Sequence, residues 1–187
     1  AEGINKEQEL FSACMATPQA RAQQHLFFAE RAATKIPGVN PKTAKRQIEK
    51  VAIIGSGTMG GGIAMNFINA GIETTILDLN AEALERGIGV VRTNYEISAS
   101  KGRLTTEQLE QRLALLKSTT SYADLSDADL VIEAVFEKME VKKAVFKSLD
   151  EVCKPGAILA SNTSTLNLNE IAESISRPQD VIGLHFF

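Results

Sequence analysis

The sequence predicts an α/β protein: a doubly wound parallel sheet preceded by an N-terminal helical linker segment. Three observations carry that expectation. From about residue 50 onward, short apolar runs alternate with stretches of helical periodicity. No hairpin signal joins one apolar run to the next, so successive strands must be parallel and linked by crossovers. A Gly-rich turn also stands between the first apolar run and the first helix that follows it.

The elements follow in order. Residues 5–33 read as helix, with Leu10, Phe11, Cys14 and Met15 at helical spacing and Leu26, Phe27 and Phe28 after Pro18. Pro18 marks a break or a new first turn. Pro37, Gly38 and Pro41 mark an irregular connection, and the basic run Lys42, Lys45, Arg46 and Lys50 reads as a solvated linker. Residues 51–54 (VAII) form a strand buried on both faces. A helix then runs to about Ala70, stopped by Gly71. Strand two covers 72–77, and a long helix opens at Asn80 or Ala81 and reaches about Ser100. Thr105 and Gln108 give the next helix a capping-box start. Strand three covers 116–120 and strand four 129–133. A helix over 140–152 is stopped by Pro155-Gly156. Strand five covers 157–160, a helix 168–176, and strand six 181–184. The domain reading is therefore 1–49 as interdomain linker helix and connector, and 50–187 as the domain proper.

Composition narrows the function classes. Of 187 residues, 44% are hydrophobic and 23% charged, as in ordinary globular domains, so a disordered chain is disfavoured. No apolar stretch approaches a bilayer span, so no integral membrane segment is expected. A net charge of −3 excludes a globally basic nucleic-acid binder. Two cysteines, Cys14 and Cys153, at no metal-ligand spacing, and two histidines, His25 and His185, lead us to expect no metal centre. Cys153 reads as a packing residue. The chain opens on Ala1-Glu2-Gly3 without Met and stops at Leu184-His185-Phe186-Phe187, directly after an apolar run. The expectation is a piece of a longer polypeptide, truncated at the C-terminal end of its domain.

The chemistry starts at the Gly-rich turn. Gly55-Ser56-Gly57-Thr58-Met59-Gly60 matches G-x-G-x-x-G between a strand and a helix, the context that makes the motif a dinucleotide fingerprint. Gly55 permits the tight turn, Gly57 admits a pyrophosphate, and Gly60 lets the helix pack on the strand. Asp78 closes strand two, where a carboxylate takes the adenine-ribose hydroxyls and disfavours a 2′-phosphate. The expected cofactor is NAD, in a Rossmann NAD-binding fold. Three further stretches lie at carboxyl ends of strands, where a parallel sheet places its ligands: Asp129 to Glu137, Ser161 to Thr165, and Gly183 to Phe187.

With the Gly-rich turn, the stretches "IEAVFE", "SNTST" and "GLHFF" make residues 50–187 resemble the 3-hydroxyacyl-CoA dehydrogenase family. The stretch "HLFFAERAATKIPGV" is similar to the connector of multifunctional β-oxidation enzymes. The resemblance implies oxidation of (S)-3-hydroxyacyl-CoA to 3-oxoacyl-CoA with NAD. It implies His185 as catalytic base and Ser164 as the second catalytic residue, hydrogen-bonded to the substrate oxygen near the nicotinamide. Thr58, Met59, Val135, Glu137, Lys142 and Ser164 join Gly55, Gly57, Gly60 and Asp78 as cofactor-binding positions. It further implies a hydratase domain upstream, a helical dehydrogenase domain downstream and a thiolase subunit as partner. The compartment expected is a bacterial cytoplasm first and a peroxisome second. Two other readings stand beside this one: another NAD-dependent hydroxyacid dehydrogenase, and a non-catalytic NAD-binding module.

Overall fold

A computed structural model describes residues 2–40 and 42–187; Ala1 and Pro41, one of the connector prolines, lie outside the described residues. The chain divides into two units, Ala1–Lys45 and Arg46–Phe187.

The first unit holds two helices, α1 (Glu2–Met15) and α2 (Pro18–Ala33). Pro18 occupies the first turn of α2, where its missing N–H costs nothing, and the Thr17 side chain caps that turn by accepting from the Ala20 N–H at 3.1 Å. Neither helix contains a buried residue. The Phe27 and Phe28 rings meet edge to face at 5.4 Å, and the Arg31 guanidinium lies 4.0 Å from the Phe27 ring centre.

The second unit is a six-stranded, wholly parallel sheet. Its strands are β1 (Lys50–Ile54), β2 (Glu73–Leu77), β3 (Leu116–Thr119), β4 (Leu130–Glu133), β5 (Ile158–Ser161) and β6 (Val181–Gly183). Their order is β3-β2-β1-β4-β5-β6. That is the doubly wound sheet expected from the sequence, with its order reversing between β1 and β4. The helices are α3 (Thr58–Asn69), α4 (Ala81–Ser100), α5 (Thr106–Ala114), α6 (Met139–Val152) and α7 (Leu168–Ala172).

Each central strand is apolar on both faces because each face is covered. Val51 and Ile53 of β1, with Ile76 and Ile132, pack against Ile63 and Ala64 of α3 and Leu84 of α4. Ala52 and Ile54, with Leu77, Val131 and Leu159, pack against Phe146 and Leu149 of α6 and Ile171 of α7. Cys153 belongs to that second cluster, as a small buried hydrophobe. Ile68, Val91, Tyr95 and Leu109 join α3, α4 and α5 in a third cluster.

Local signals set the ends. Gly71 (φ 81°), Gly102 (φ 69°) and Gly156 (φ 80°) follow α3, α4 and α6 in left-handed conformation. Asn80 caps α4, and Thr105 and Gln108 form a reciprocal capping box on α5. The helix expected over 168–176 ends at Ala172. There the Ser174 hydroxyl bonds back to the Ile171 carbonyl, and Asp150 draws in the Ser176 N–H and hydroxyl, so the chain leaves the helical path. Two of the basic residues read as solvated linker have fixed partners instead. Arg46 donates to the Gly156 carbonyl at 2.8 Å and to Asp180 at 3.1 Å, and Lys50 pairs with Asp127. Asp129 lies just before β4 and clamps the start of β1, accepting from the Glu49 and Lys50 N–H groups at 2.8 and 2.9 Å.

Candidate functional site

The order reversal between β1 and β4 opens a crevice at the carboxyl ends of the strands. On the β1–β2 side lies a cleft of about 1100 Å³, lined by the 55–59 turn, Asp78, Asn80, Arg86 and Val135 among others. It exceeds the roughly 300–1,000 Å³ usual for a drug-sized ligand.

The turn that floors the cleft is built by close approach. Gly55 has φ 103°, and a Cβ there would stand 2.8 Å from the Ala134 carbonyl oxygen. A Cβ at Gly60 would stand 1.9 Å from the Gly55 carbonyl oxygen. Gly57 is different: its φ is −69°, and a Cβ would meet no atom within 4 Å. The protein's own packing does not require a glycine there, so the open space is on the ligand side. Thr58 and Met59 begin α3 and are exposed, and the N–H groups of this first turn have no helical acceptors. This set fits a dinucleotide pyrophosphate.

Asp78, expected on the ribose, follows β2 and faces the same cleft. Its carboxylate is already oriented: Oδ2 accepts from the Ser56 N–H (3.1 Å) and hydroxyl (2.7 Å), and Oδ1 from the Asn80 N–H (3.0 Å). Partial burial pushes this carboxyl up. The Ser56 hydroxyl, the Asn80 and Ser56 N–H groups and the nearby Arg86 outweigh that and hold it below its usual value. Arg86 is on α4, which comes close because Gly87 lets it. A Cβ at Gly87 would stand 2.2 Å from the Ser56 carbonyl oxygen.

On the β4–β6 side, Glu137, Ser164 and His185 are brought together. Ser164 Oγ and His185 Nε2 are 3.1 Å apart, and both residues are exposed. Glu137 Oε1 accepts from the Thr163 hydroxyl and from the Ser164 and Thr165 N–H groups, the latter two at 2.9 and 3.2 Å. Burial would raise the Glu137 carboxyl. The Thr163 hydroxyl, the Ser164 N–H, the Lys142 ammonium and the Thr165 N–H together bring it down to about 2. Asn162 Oδ1 accepts from the Phe186 N–H at 2.8 Å, tying the segment after β6 to the loop after β5. Ser164 does not cap α7; Asn167 does.

The remaining expected positions fall in two groups. Val135 lines the cleft, and its N–H donates to Glu133 Oε1 at 2.8 Å. Lys142 is fully buried, with its ammonium on Glu133 and Glu137. Sequence reasoning missed Ser56, Gly87, Glu133 and Ser161. Of these Ser56, Glu133 and Ser161 carried a signal, lying in the Gly-rich turn and in the stretches "IEAVFE" and "SNTST", whereas Gly87 carried none. Among the described residues, no group of three or more His, Cys, Asp or Glu is placed to hold a metal, and no helix is long and apolar enough to cross a membrane.

Comparison with known proteins gives matches along the whole chain. The profile of the family "3-hydroxyacyl-CoA dehydrogenase, NAD binding domain" matches residues 50–187. A rice protein (Oryza sativa subsp. japonica), named peroxisomal fatty acid beta-oxidation multifunctional protein, is 40% identical over 186 residues, covering 99% of this chain and 26% of that protein. The chain thus spans about a quarter of the length of that curated relative. The solved structure of 3-hydroxybutyryl-CoA dehydrogenase from Escherichia coli superposes with a TM-score of 0.74 at 44% identity, covering 76% of this chain and 30% of that one. The dehydrogenase part of multifunctional enzyme 1 from C. elegans gives 0.73 at 36% identity, covering 82% and 36%.

Proposed function

The chain belongs to the family of 3-hydroxyacyl-CoA dehydrogenase NAD-binding domains, and on that premise we propose that it is the NAD-binding part of an enzyme oxidising (S)-3-hydroxyacyl-CoA to 3-oxoacyl-CoA. The observation that carries the reading is the Ser164–His185 contact at 3.1 Å, beside a Gly-turn cleft with an oriented acidic residue.

When bound, NAD supplies the acceptor for the hydride that leaves C3 of the substrate. The chain's own residues do the rest. The turn from Gly55 to Gly60, with Thr58 and Met59, offers N–H groups and a helix N-terminus to the pyrophosphate. Asp78 accepts from the adenine-ribose hydroxyls and repels a 2′-phosphate. Val135 and Glu137 border the nicotinamide half, with Lys142 behind Glu137. His185, as a neutral imidazole, takes the proton of the 3-hydroxyl at Nε2. The Ser164 hydroxyl hydrogen-bonds the same substrate oxygen, so one oxygen is held from two sides as its charge changes.

The parent we propose is a multifunctional β-oxidation protein, with a hydratase domain before this chain, a helical dehydrogenase domain after it and a thiolase subunit as partner. The fraction of the rice protein that the chain covers supports the longer parent. The name of that relative supports a peroxisomal compartment ahead of the bacterial cytoplasm. Titration calorimetry on the chain tests the cofactor assignment. NADH is expected to bind, and NADPH to bind at least about tenfold more weakly, a difference of ~1.4 kcal/mol. Asp78→Ala should narrow that gap, and His185→Ala should leave NADH affinity within about twofold of the parent. Absence of NADH binding to the unaltered chain would overturn the reading.

A further inference from the structure

Behind the loop that carries Ser164 lies a buried ionic cluster. Glu133 is the last residue of β4, and its side chain is 0% exposed. Lys142 stands one turn into α6 with its side chain 1% exposed. Lys142 Nζ is 2.7 and 2.9 Å from the two carboxylate oxygens of Glu133 and 3.2 Å from Glu137 Oε2. An ammonium has three protons, and these three oxygens account for all of them. Glu133 is held in turn by the Ser161 hydroxyl on Oε2 at 2.7 Å and by the Val135 N–H on Oε1.

The contacts form a chain with a direction. Glu133 and Ser161 are fixed by the sheet, and Lys142 by α6. Glu137 sits on the connection between β4 and α6 and is 39% exposed, so nothing in its own backbone element immobilises it. Its Oε2 faces the buried ammonium, and its Oε1 collects four donors of the 163–165 loop: the Thr163 and Thr165 hydroxyls and the Ser164 and Thr165 N–H groups. Ser164 then meets His185. A buried ion pair contributes little net stability, because desolvation offsets its Coulomb attraction. Its use is to fix geometry.

We propose that Glu133 and Lys142 are a positioning pair for proton transfer: they pin Glu137, and through it the loop that sets Ser164 against His185. Lys142 spends its protons on the Glu133 and Glu137 carboxylates. The proposal rests on the roles given above to Ser164 and His185.

The test is the double variant Glu133→Gln/Lys142→Met in the full 187-residue chain, without dinucleotide. Removing both charges together leaves no unpaired buried ion, so the sheet is expected to fold. Amide hydrogen exchange at Ser164 and Thr165 is expected to accelerate at least about tenfold while β1 and β2 amides keep their protection. The His185 ring resonances, followed by NMR, are expected to shift as its contact with the Ser164 hydroxyl loosens. Unchanged exchange at Ser164 and Thr165 overturns the proposal. So does acceleration shared equally by β1 and β2, which marks a purely structural pair. If the double variant does not fold, Glu133→Gln alone takes its place, with about threefold local acceleration expected. Failure of that isosteric variant to fold also overturns the positioning role. Because no cofactor is present, these results stand apart from the NADH titration, which tests the cofactor assignment on the unaltered chain.

Discussion

The glycines around the turn do different work, and substitution separates them. Gly57→Ala adds a Cβ that meets no protein atom, so only the poorer helix cap counts, under about 1 kcal/mol of stability. The same Cβ occupies the ligand's side of the turn and should weaken NADH at least about tenfold by calorimetry. Gly87→Ala gains about 0.8–1.0 kcal/mol of helix propensity. It also forces a backbone contact of 2.2 Å apart, and the Ser56 carbonyl cannot yield without moving the turn. Overpacking of about 1–3 kcal/mol wins, so Gly87→Ala should lower the denaturation midpoint. Glu137 gives a pH prediction. Its folded value of about 2 lies below the usual 4.5, so its contribution is complete above about pH 4.5 and is lost as pH falls through about 2. The difference in melting temperature between parent and Glu137→Gln should therefore shrink from pH 5 to pH 2; a constant difference would contradict it. The fingerprint glycines and Asp78 are legible in the sequence because their spacing is local. The partners of Gly87 and Glu133 are not. A lone helix glycine reads as a propensity cost, and a strand-end glutamate as a strand end; only the fold brings Ser56 to one and Lys142 to the other.

Elements inherit their stability unequally. β1 and β4 are buried along almost their whole length. By contrast α1 and α2 bury no residue, and their described contacts are small ones: helix hydrogen bonds, the Thr17 cap, the Lys6–Glu9 pair, Gln24 on Met15, and Phe27 with Phe28 and Arg31. Helices of 14 and 16 residues with so little packing are marginal in water. Their amides are expected to exchange at least about a hundredfold faster than those of β1 and β4 in a single hydrogen-exchange experiment. Equal protection would show that packing holds them. Helix starts are legible in the sequence because their signals are local: Pro18, Asn80 and Thr105 each mark one. Helix α7 is less so. It ends where Asp150, on α6, takes hold of Ser176, and no local pattern announces a partner on another element.

For the molecule as a whole, alternation of strand and helix predicts a parallel sheet, and right-handed crossovers leave few orders open. Which order forms depends on faces buried by helices far apart in sequence. The observed β3-β2-β1-β4-β5-β6 places the Gly turn and Asp78 on one side of the switch point and Ser164 and His185 on the other. That central place of β1 bears on how the protein is made. Synthesis delivers a chain from its N-terminal end, and segments begin to fold as they emerge. β2 follows β1 directly, so one edge of β1 is filled once Leu77 is out, and β3 then adds to β2 once Thr119 is out. The other edge waits for Val51 to meet Leu130, and the pairing of β5 with β6 comes last. On the ribosome the Gly turn and Asp78 are therefore in place well before Ser164 and His185 can meet. In that interval the bare apolar edge of β1 is where a chaperone, or a neighbouring nascent chain, would find something to pair with.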